Sequence, residues 1–153
     1  MKRICKTHIH QRGFTMIEMV IVLIVMAIVA TFILVRATPG SIDLIAQTEI
    51  LKSHLRYAQI RAMNDDTVPW GIRIPDAGSY LLYRNNAQAT SLLPGENAQT
   101  HTLPTGIIVT AGFGSTYNFD AWGSPGTSTL TITLSQGSTT NSITITKNTG
   151  YIP

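Results

Sequence analysis

Residues 14–35 read FTMIEMVIVLIVMAIVATFILV, 22 positions interrupted only by Thr15, Glu18 and Thr31. As a helix this run extends about 33 Å at about 1.5 Å per residue, enough to cross a hydrocarbon core of about 30 Å. It predicts a membrane-spanning helix. Lys2, Arg3, Lys6 and Arg12 precede it and the polar bulk of the chain follows. The positive-inside rule therefore predicts Met1 on the cytoplasmic side and a single-pass topology, with the polar head outside the inner membrane. A cleaved secretory signal has a shorter apolar stretch ending in small residues. The segment Phe32-Ile33-Leu34-Val35-Arg36-Ala37-Thr38-Pro39 offers no such site.

Composition sets the frame around this segment. A chain of 153 residues has room for one ordinary domain and not for a multi-domain enzyme. Its sequence pI of 9.2 invites a nucleic-acid reading. Four of the eleven basic residues, however, lie in the first twelve positions. Beyond residue 13, seven Lys and Arg face eight Asp and Glu, so the basicity belongs to the leader-like start. Cys5 is the only cysteine and also lies there, which excludes disulfides and thiol catalysis from the rest of the chain. Ser, Thr, Gly and Asn abound from about Thr90 onward, and only 12% of residues are charged, as suits an exported, turn-rich β structure.

Pro39-Gly40 predicts a kink or short break. From Ser41, with Ser41 or Asp43 as a cap, the helical pattern resumes. Leu44, Thr48, Leu51, Leu55, Ala58 and Ala62 recur at three- and four-residue spacing, predicting an amphipathic helix that ends near Asn64-Asp65-Asp66. Asp65-Asp66 is expected to terminate it and solvate the turn. Beyond Thr67 the pattern becomes short β runs bounded by Gly, Pro, Asn and Asp. Strands are expected at Trp70 to Ile74, Tyr80 to Arg84, Gly106 to Thr110, Tyr117 to Phe119, Leu130 to Leu134 and Ser142 to Thr146. The last two would form a hairpin across Ser135 to Asn141, with Leu130, Ile132, Leu134, Ile143 and Ile145 inward. Gln88 to Thr102 reads as an exposed loop.

Arg12-Gly13-Phe14-Thr15-Met16-Ile17-Glu18-Met19 carries the chemistry. A carboxylate in a membrane helix costs about 3 kcal/mol and marks function. Glu18 therefore needs a partner. Cleavage after Gly13 would create a cationic α-amine on Phe14, four residues from Glu18 on the same helix face, and a neighbouring copy's amine would serve equally well. Glycine on the leader side of the cut allows a protease close approach to the backbone.

These residues resemble the N-terminal processing motif of type IV pilins and type II secretion pseudopilins. The resemblance implies that a prepilin peptidase cuts between Gly13 and Phe14, that Phe14 becomes N-methylated, and that Glu18 directs subunit docking. It also implies partners: other pilins through the N-terminal helix, the peptidase, and an inner-membrane assembly platform. A second resemblance lies in Ile143-Thr144-Ile145-Thr146-Lys147-Asn148-Thr149-Gly150-Tyr151-Ile152, which looks like the closing strand and Thr-Gly turn of the GspH/FimT group of minor pseudopilins and minor pilins. Many members carry a basic residue just after this glycine, where Tyr151 stands here.

The expected fold class is α+β: a long kinked N-terminal helix, hydrophobic first and amphipathic second, packed on a small antiparallel β-rich head. The expected divisions are a leader at 1–13, an assembly helix at 14–35, an amphipathic continuation at 36–66 and a periplasmic head at 67–153. Asp120-Ala121-Trp122-Gly123-Ser124-Pro125 resembles a turn of major pseudopilins that binds calcium nearby. A single aspartate supplies too few oxygen ligands, so a tight turn with Trp122 packed on the head is expected, and no metal or cofactor. The His-x-His spacing of His8 and His10, in the leader, reads as flanking polarity and not as a metal site; His54 and His101 have no partners at ligand or catalytic spacing, and no nucleophile motif is present, so no enzyme is expected. The functional expectation is a structural minor pilin or pseudopilin. The alternative is a DNA-binding minor pilin using Arg73, Arg84 and Lys147, although nucleic acid asks for a more concentrated positive field.

Overall fold

The computed structural model describes residues 15–36 and 39–153, with side-chain surroundings for 15–30 and 42–153. The chain divides into two units, one ending at Thr38 and the other comprising Pro39–Pro153. In the first, α1 runs from Met16 to Arg36. Apolar residues occupy every face, and all side chains from Met16 to Ala30 are exposed. Among the described residues no helix is long and apolar enough to cross a membrane. The expected span of 14–35 begins outside them at Phe14, and its side chains from residue 31 onward also lie outside them. The expected kink or short break is at Pro39-Gly40; these two residues open the next helix, and residues 37 and 38 before them lie outside the described residues.

In the second unit α2 runs from Pro39 to Asn64. Proline suits the first turn, where its missing N–H costs nothing. The helix thus begins ahead of Ser41 and Asp43, the expected caps. The expected stripe is the packed face: Leu44, Thr48, Leu51, Leu55, Ala58 and Ala62 are all buried. Thr48 satisfies its hydroxyl on Leu44 O at 2.7 Å. Each fully buried leucine contributes about 2 kcal/mol of apolar transfer.

Eight strands follow: β1 Trp70–Asp76, β2 Ser79–Arg84, β3 Ala87–Gln88, β4 Thr100–Thr102, β5 Ile107–Ala111, β6 Thr116–Phe119, β7 Leu130–Gln136 and β8 Thr139–Ile145. They form two antiparallel sheets, β3-β2-β1-β6 with β4 also on β2, and β5-β7-β8. All six expected strands are present within a few residues of their expected bounds. The last hairpin is tighter than expected, because Gln136 pairs with Thr139 across Gly137 and Ser138. Gly137 takes a left-handed φ of 59° there, so polar residues of the supposed loop complete the strands. The stretch read as loop contributes β3, reached through Asn85 and Asn86, both at positive φ, and β4. Paired Asn residues tolerate the left-handed region that such a two-residue turn requires.

One face of α2 meets β1 and β6 of the first sheet and β7 and β8 of the second. Trp70, Ile72, Ile74, Tyr80 and Leu82 project into the core from one side, and Val109, Ile132, Leu134, Ile143 and Ile145 from the other.

Polar ties flank this core. Gln59 Nε2 donates to Gly123 O at 2.8 Å and to Gly150 O at 3.0 Å. Arg56 Nη2 donates to Ile152 O at 3.0 Å, and Ile152 is buried. Gly123 and Gly150 approach so closely that a Cβ on Gly150 would overlap Gly123 O and Gln59 Nε2. Trp122, expected to pack on the head, is instead 88% exposed. Gly123 takes the place against α2, with Met63 Sδ only 3.1 Å from where its Cβ would stand, which leaves the indole outside.

His54 and His101, expected to be unconnected, meet beside this core. His54 Nε2 faces Pro94 O at 3.0 Å, so Nε2 carries the proton, and Nδ1 accepts from the Tyr80 hydroxyl at 2.9 Å. His101 stacks on Tyr80 with centroids 4.6 Å apart, places Nδ1 2.6 Å from Glu96 Oε1 and turns Nε2 to Gln47 Oε1 at 3.2 Å. The network pins the 89–99 segment, with its buried Leu93, onto α2. Burial lowers the His54 pKa, the Pro94 bond opposes this, and neighbouring His101 adds to the lowering while Glu96 opposes it.

Two outcomes are expected. Gly150→Ala should cost at least about 3 kcal/mol and Gly137→Ala, at nearly the same φ in open space, about 1 kcal/mol, measured by thermal unfolding; equal costs would refute the Gly123 contact. Because His54 is held neutral below its unfolded pKa of 6.5, the unfolded state takes up the proton first and stability must fall as pH drops below that value. His54→Gln should flatten this part of the stability–pH curve relative to wild type. Parallel curves for the two proteins would remove His54 as the source.

Candidate functional site

The sequence directs attention to the start of α1. Thr15, the first described residue, caps the helix: Glu18 N donates to Thr15 Oγ1 at 3.3 Å and to Thr15 O at 3.1 Å. Threonine at the cap and glutamate three residues later form the Thr-x-x-Glu pattern of a helix start. Glu18 thereby lies in the first turn, where free backbone N–H groups present partial positive charge to its carboxylate. The Thr15–Glu18 spacing alone carries this local interaction, which stands beside the expected pairing with a Phe14 amine. Gly13 and Phe14, the expected cleavage and methylation residues, lie outside the described residues.

What surrounds Glu18 is equally informative. Met16 is 89% and Ile17 69% exposed, and the apolar surface continues around the helix to Ala30. An amphipathic helix of a soluble domain buries one stripe and wets the other, whereas apolar residues all round call for lipid or other helices as neighbours. The arrangement offers a continuous apolar contact surface with one carboxylate near its beginning. That is a device for association and positioning.

The head holds further polar constellations. Asp65 does more than end α2: its carboxylate accepts from Trp70 Nε1 at 2.9 Å, from Arg84 Nε at 3.2 Å and Nη2 at 2.9 Å, and from Thr67 through both N and Oγ1. These donors, led by the Thr67 hydroxyl and followed by Trp70 and Arg84, hold its pKa well below the usual carboxylate range. Asp120 Oδ1 accepts from Trp122 N at 2.9 Å and Ser124 N at 2.8 Å, so the expected tight turn is real and its carboxylate serves the backbone. Among the described residues no group of three or more His, Cys, Asp or Glu is placed to hold a metal ion.

The cations suggested for nucleic acid do not converge. Arg84 pairs with Trp70 across β1 and β2, whereas Arg73 lies at the alternate parity, donates to Thr116 Oγ1 at 3.2 Å and covers Tyr83. Side chains at alternate positions project to opposite faces of a sheet, so these two do not form one patch. Lys147 lies beyond β8.

Residues 9–34 match the family model described as "Prokaryotic N-terminal methylation motif". No curated protein and no solved structure matches the chain. The matched segment contains Gly13, Phe14, Thr15, Glu18 and most of α1. The chain thus carries the prepilin-type N-terminal methylation motif at the head of an apolar helix, which supports a type IV pilin-like protein processed by prepilin peptidase.

Proposed function

We propose that the chain is a structural minor pilin or pseudopilin of the GspH/FimT kind, working in a type IV pilus or a type II secretion pseudopilus. The observation that carries this reading is the coincidence of the methylation motif at 9–34 with an α1 surface that is apolar on every side. The α+β head and the Thr149-Gly150 turn after β8, with Gly150 at a φ of 63°, are in keeping with that group.

The mechanism follows from the residues. The precursor inserts with Met1 in the cytoplasm and the 14–35 helix across the inner membrane, the head remaining periplasmic. Peptidase removes residues 1–13 and Phe14 is methylated. A membrane-spanning subunit has no hydrophobic drive to leave lipid for another apolar helix; packing and polar pairing must supply it. Glu18 provides the polar pairing. Its carboxylate, steadied by the Thr15-capped turn, neutralises the α-amine of Phe14 on its own or a neighbouring subunit and so sets the axial register of the stack. The subunit's work is positional throughout, with no bond made or broken by its own side chains.

Intact-mass and N-terminal analysis of protein extracted from native membranes should find a chain that begins at Phe14 and carries one added methyl group. A start at Met1, or one after the apolar run, refutes the processing step. Glu18→Ala should leave that processed mass unchanged while lowering recovery in sheared filaments by at least about tenfold, corresponding to about 1.4 kcal/mol per docking event. Wild-type recovery would rule out Glu18 as the docking residue.

A further inference from the structure

At the C-terminal end of α2 a cavity of about 420 Å³ is lined by Arg61, Asn64, Asp65, Trp70, Arg84, Thr90 and Ser91. Two guanidinium groups converge on one indole there: the central carbons of Arg61 and Arg84 stand 4.5 and 5.3 Å from the Trp70 ring centroid. Their charge balance differs. Arg84 is paired with Asp65 at 2.9 Å. Arg61 is half-buried, donates only from Nη2 to the neutral Ser91 hydroxyl at 3.0 Å, and leaves a buried Nε without an acceptor. Among the described residues no carboxylate forms an ion pair with it.

Asp65 cannot fill that role, because both of its oxygens are already engaged by Thr67, Trp70 and Arg84. The carbonyl end of α2 offsets part of the Arg61 charge, since Arg61 lies in the last turn. It does not give the guanidinium a bidentate acceptor, which is the partner this planar group is shaped for. A partly desolvated guanidinium that lacks such an acceptor, beside an open cavity, is a cost that a bound anion removes.

We propose that this cavity is a binding site for a carboxylate-bearing peptide group, with Arg61 as its principal anchor and Arg84 and Thr90 as flanking donors. The charge count selects the ligand class. Two arginines and one aspartate leave one net positive charge, which matches a carboxylate monoanion, whereas a dianionic phosphate would face Asp65 uncompensated. The volume exceeds what a carboxylate alone fills and lies in the range of pockets that take a ligand of several heavy atoms, such as an acidic residue with its flanking backbone. The indole stacked on both cations keeps the guanidinium planes preorganised, so little side-chain entropy remains to be lost on binding. The site lies wholly within the second unit, Pro39–Pro153.

Fluorescence titration of the full chain in detergent micelles tests this. Trp122→Phe removes the exposed indole and leaves Trp70 as the sole tryptophan reporter. At constant ionic strength and pH 7.5, acetyl-Ala-Glu-Ala-amide should give a saturable change at millimolar concentration, while the isosteric Gln peptide gives none. Arg61→Gln should weaken the Glu peptide at least about tenfold with an unchanged far-ultraviolet dichroism spectrum, and Arg61→Lys should retain part of the affinity. Equal responses to the Glu and Gln peptides, or no saturation by the Glu peptide, would overturn the proposal without recourse to any variant. Tighter binding of inorganic phosphate or of a single-stranded oligonucleotide than of the Glu peptide would overturn the assignment to a carboxylate.

Discussion

A single helix face, from Leu44 to Ala62, is common ground for both sheets of the head. Neither sheet has a core of its own: the side chains that β1 and β2 direct inward meet those of β7 and β8 only because α2 lies where both can pack on it. The size gradient along that face matters. Leucines fill the N-terminal part, while Ala58 and Ala62 let backbone approach near the C-terminal end, where Gln59 reaches two carbonyls from segments far apart in sequence. Apolar burial supplies the bulk of the attraction, and the polar contacts of His54, Arg56 and Gln59 determine which loop lies where.

Much of this was legible in the residues because it rests on period. The three- and four-residue recurrence in α2 and the alternation in β7 and β8 each report a half-buried element, and a half-buried element must sort its side chains by face. The short strands β3 and β4 escaped because their side chains alternate too briefly to show a period, and Asn85-Asn86 is a subtler hairpin signal than a glycine turn. Trp122 misled for a related reason. An aromatic residue usually signals burial, but here two glycines, Gly123 and Gly150, occupy the contact and the large side chain has nowhere to enter. At the candidate site, Thr15 and Glu18 were visible through their spacing, whereas the convergence of Arg61 and Arg84 on Trp70 joins residues from α2, β1 and β2 and leaves no linear trace.

The two units obey opposite solvent rules. In the head, apolar side chains are enclosed and acids such as Asp65 and Asp120 are absorbed into hydrogen-bonded turns. In α1, apolar side chains are outermost and the one acid is at the helix start. A sequence that places these rules side by side makes a folded object at one end and a component awaiting neighbours at the other. This is the physical sense in which a pilin-type motif and a self-contained head belong to one molecule.

The hydrogen bond from Arg56 to Ile152 O joins residues 96 positions apart, and buried Ile152 completes a core that α2 begins. Contacts of such long range form late, after most of the chain is available. During synthesis, α2 therefore emerges well before the segment that seals it, with its leucine stripe open to water in the interval. Folding of the head is thus tied to completion of the chain through Ile152, and a stalled or truncated chain would present that stripe to proteases and chaperones instead of to its own sheets.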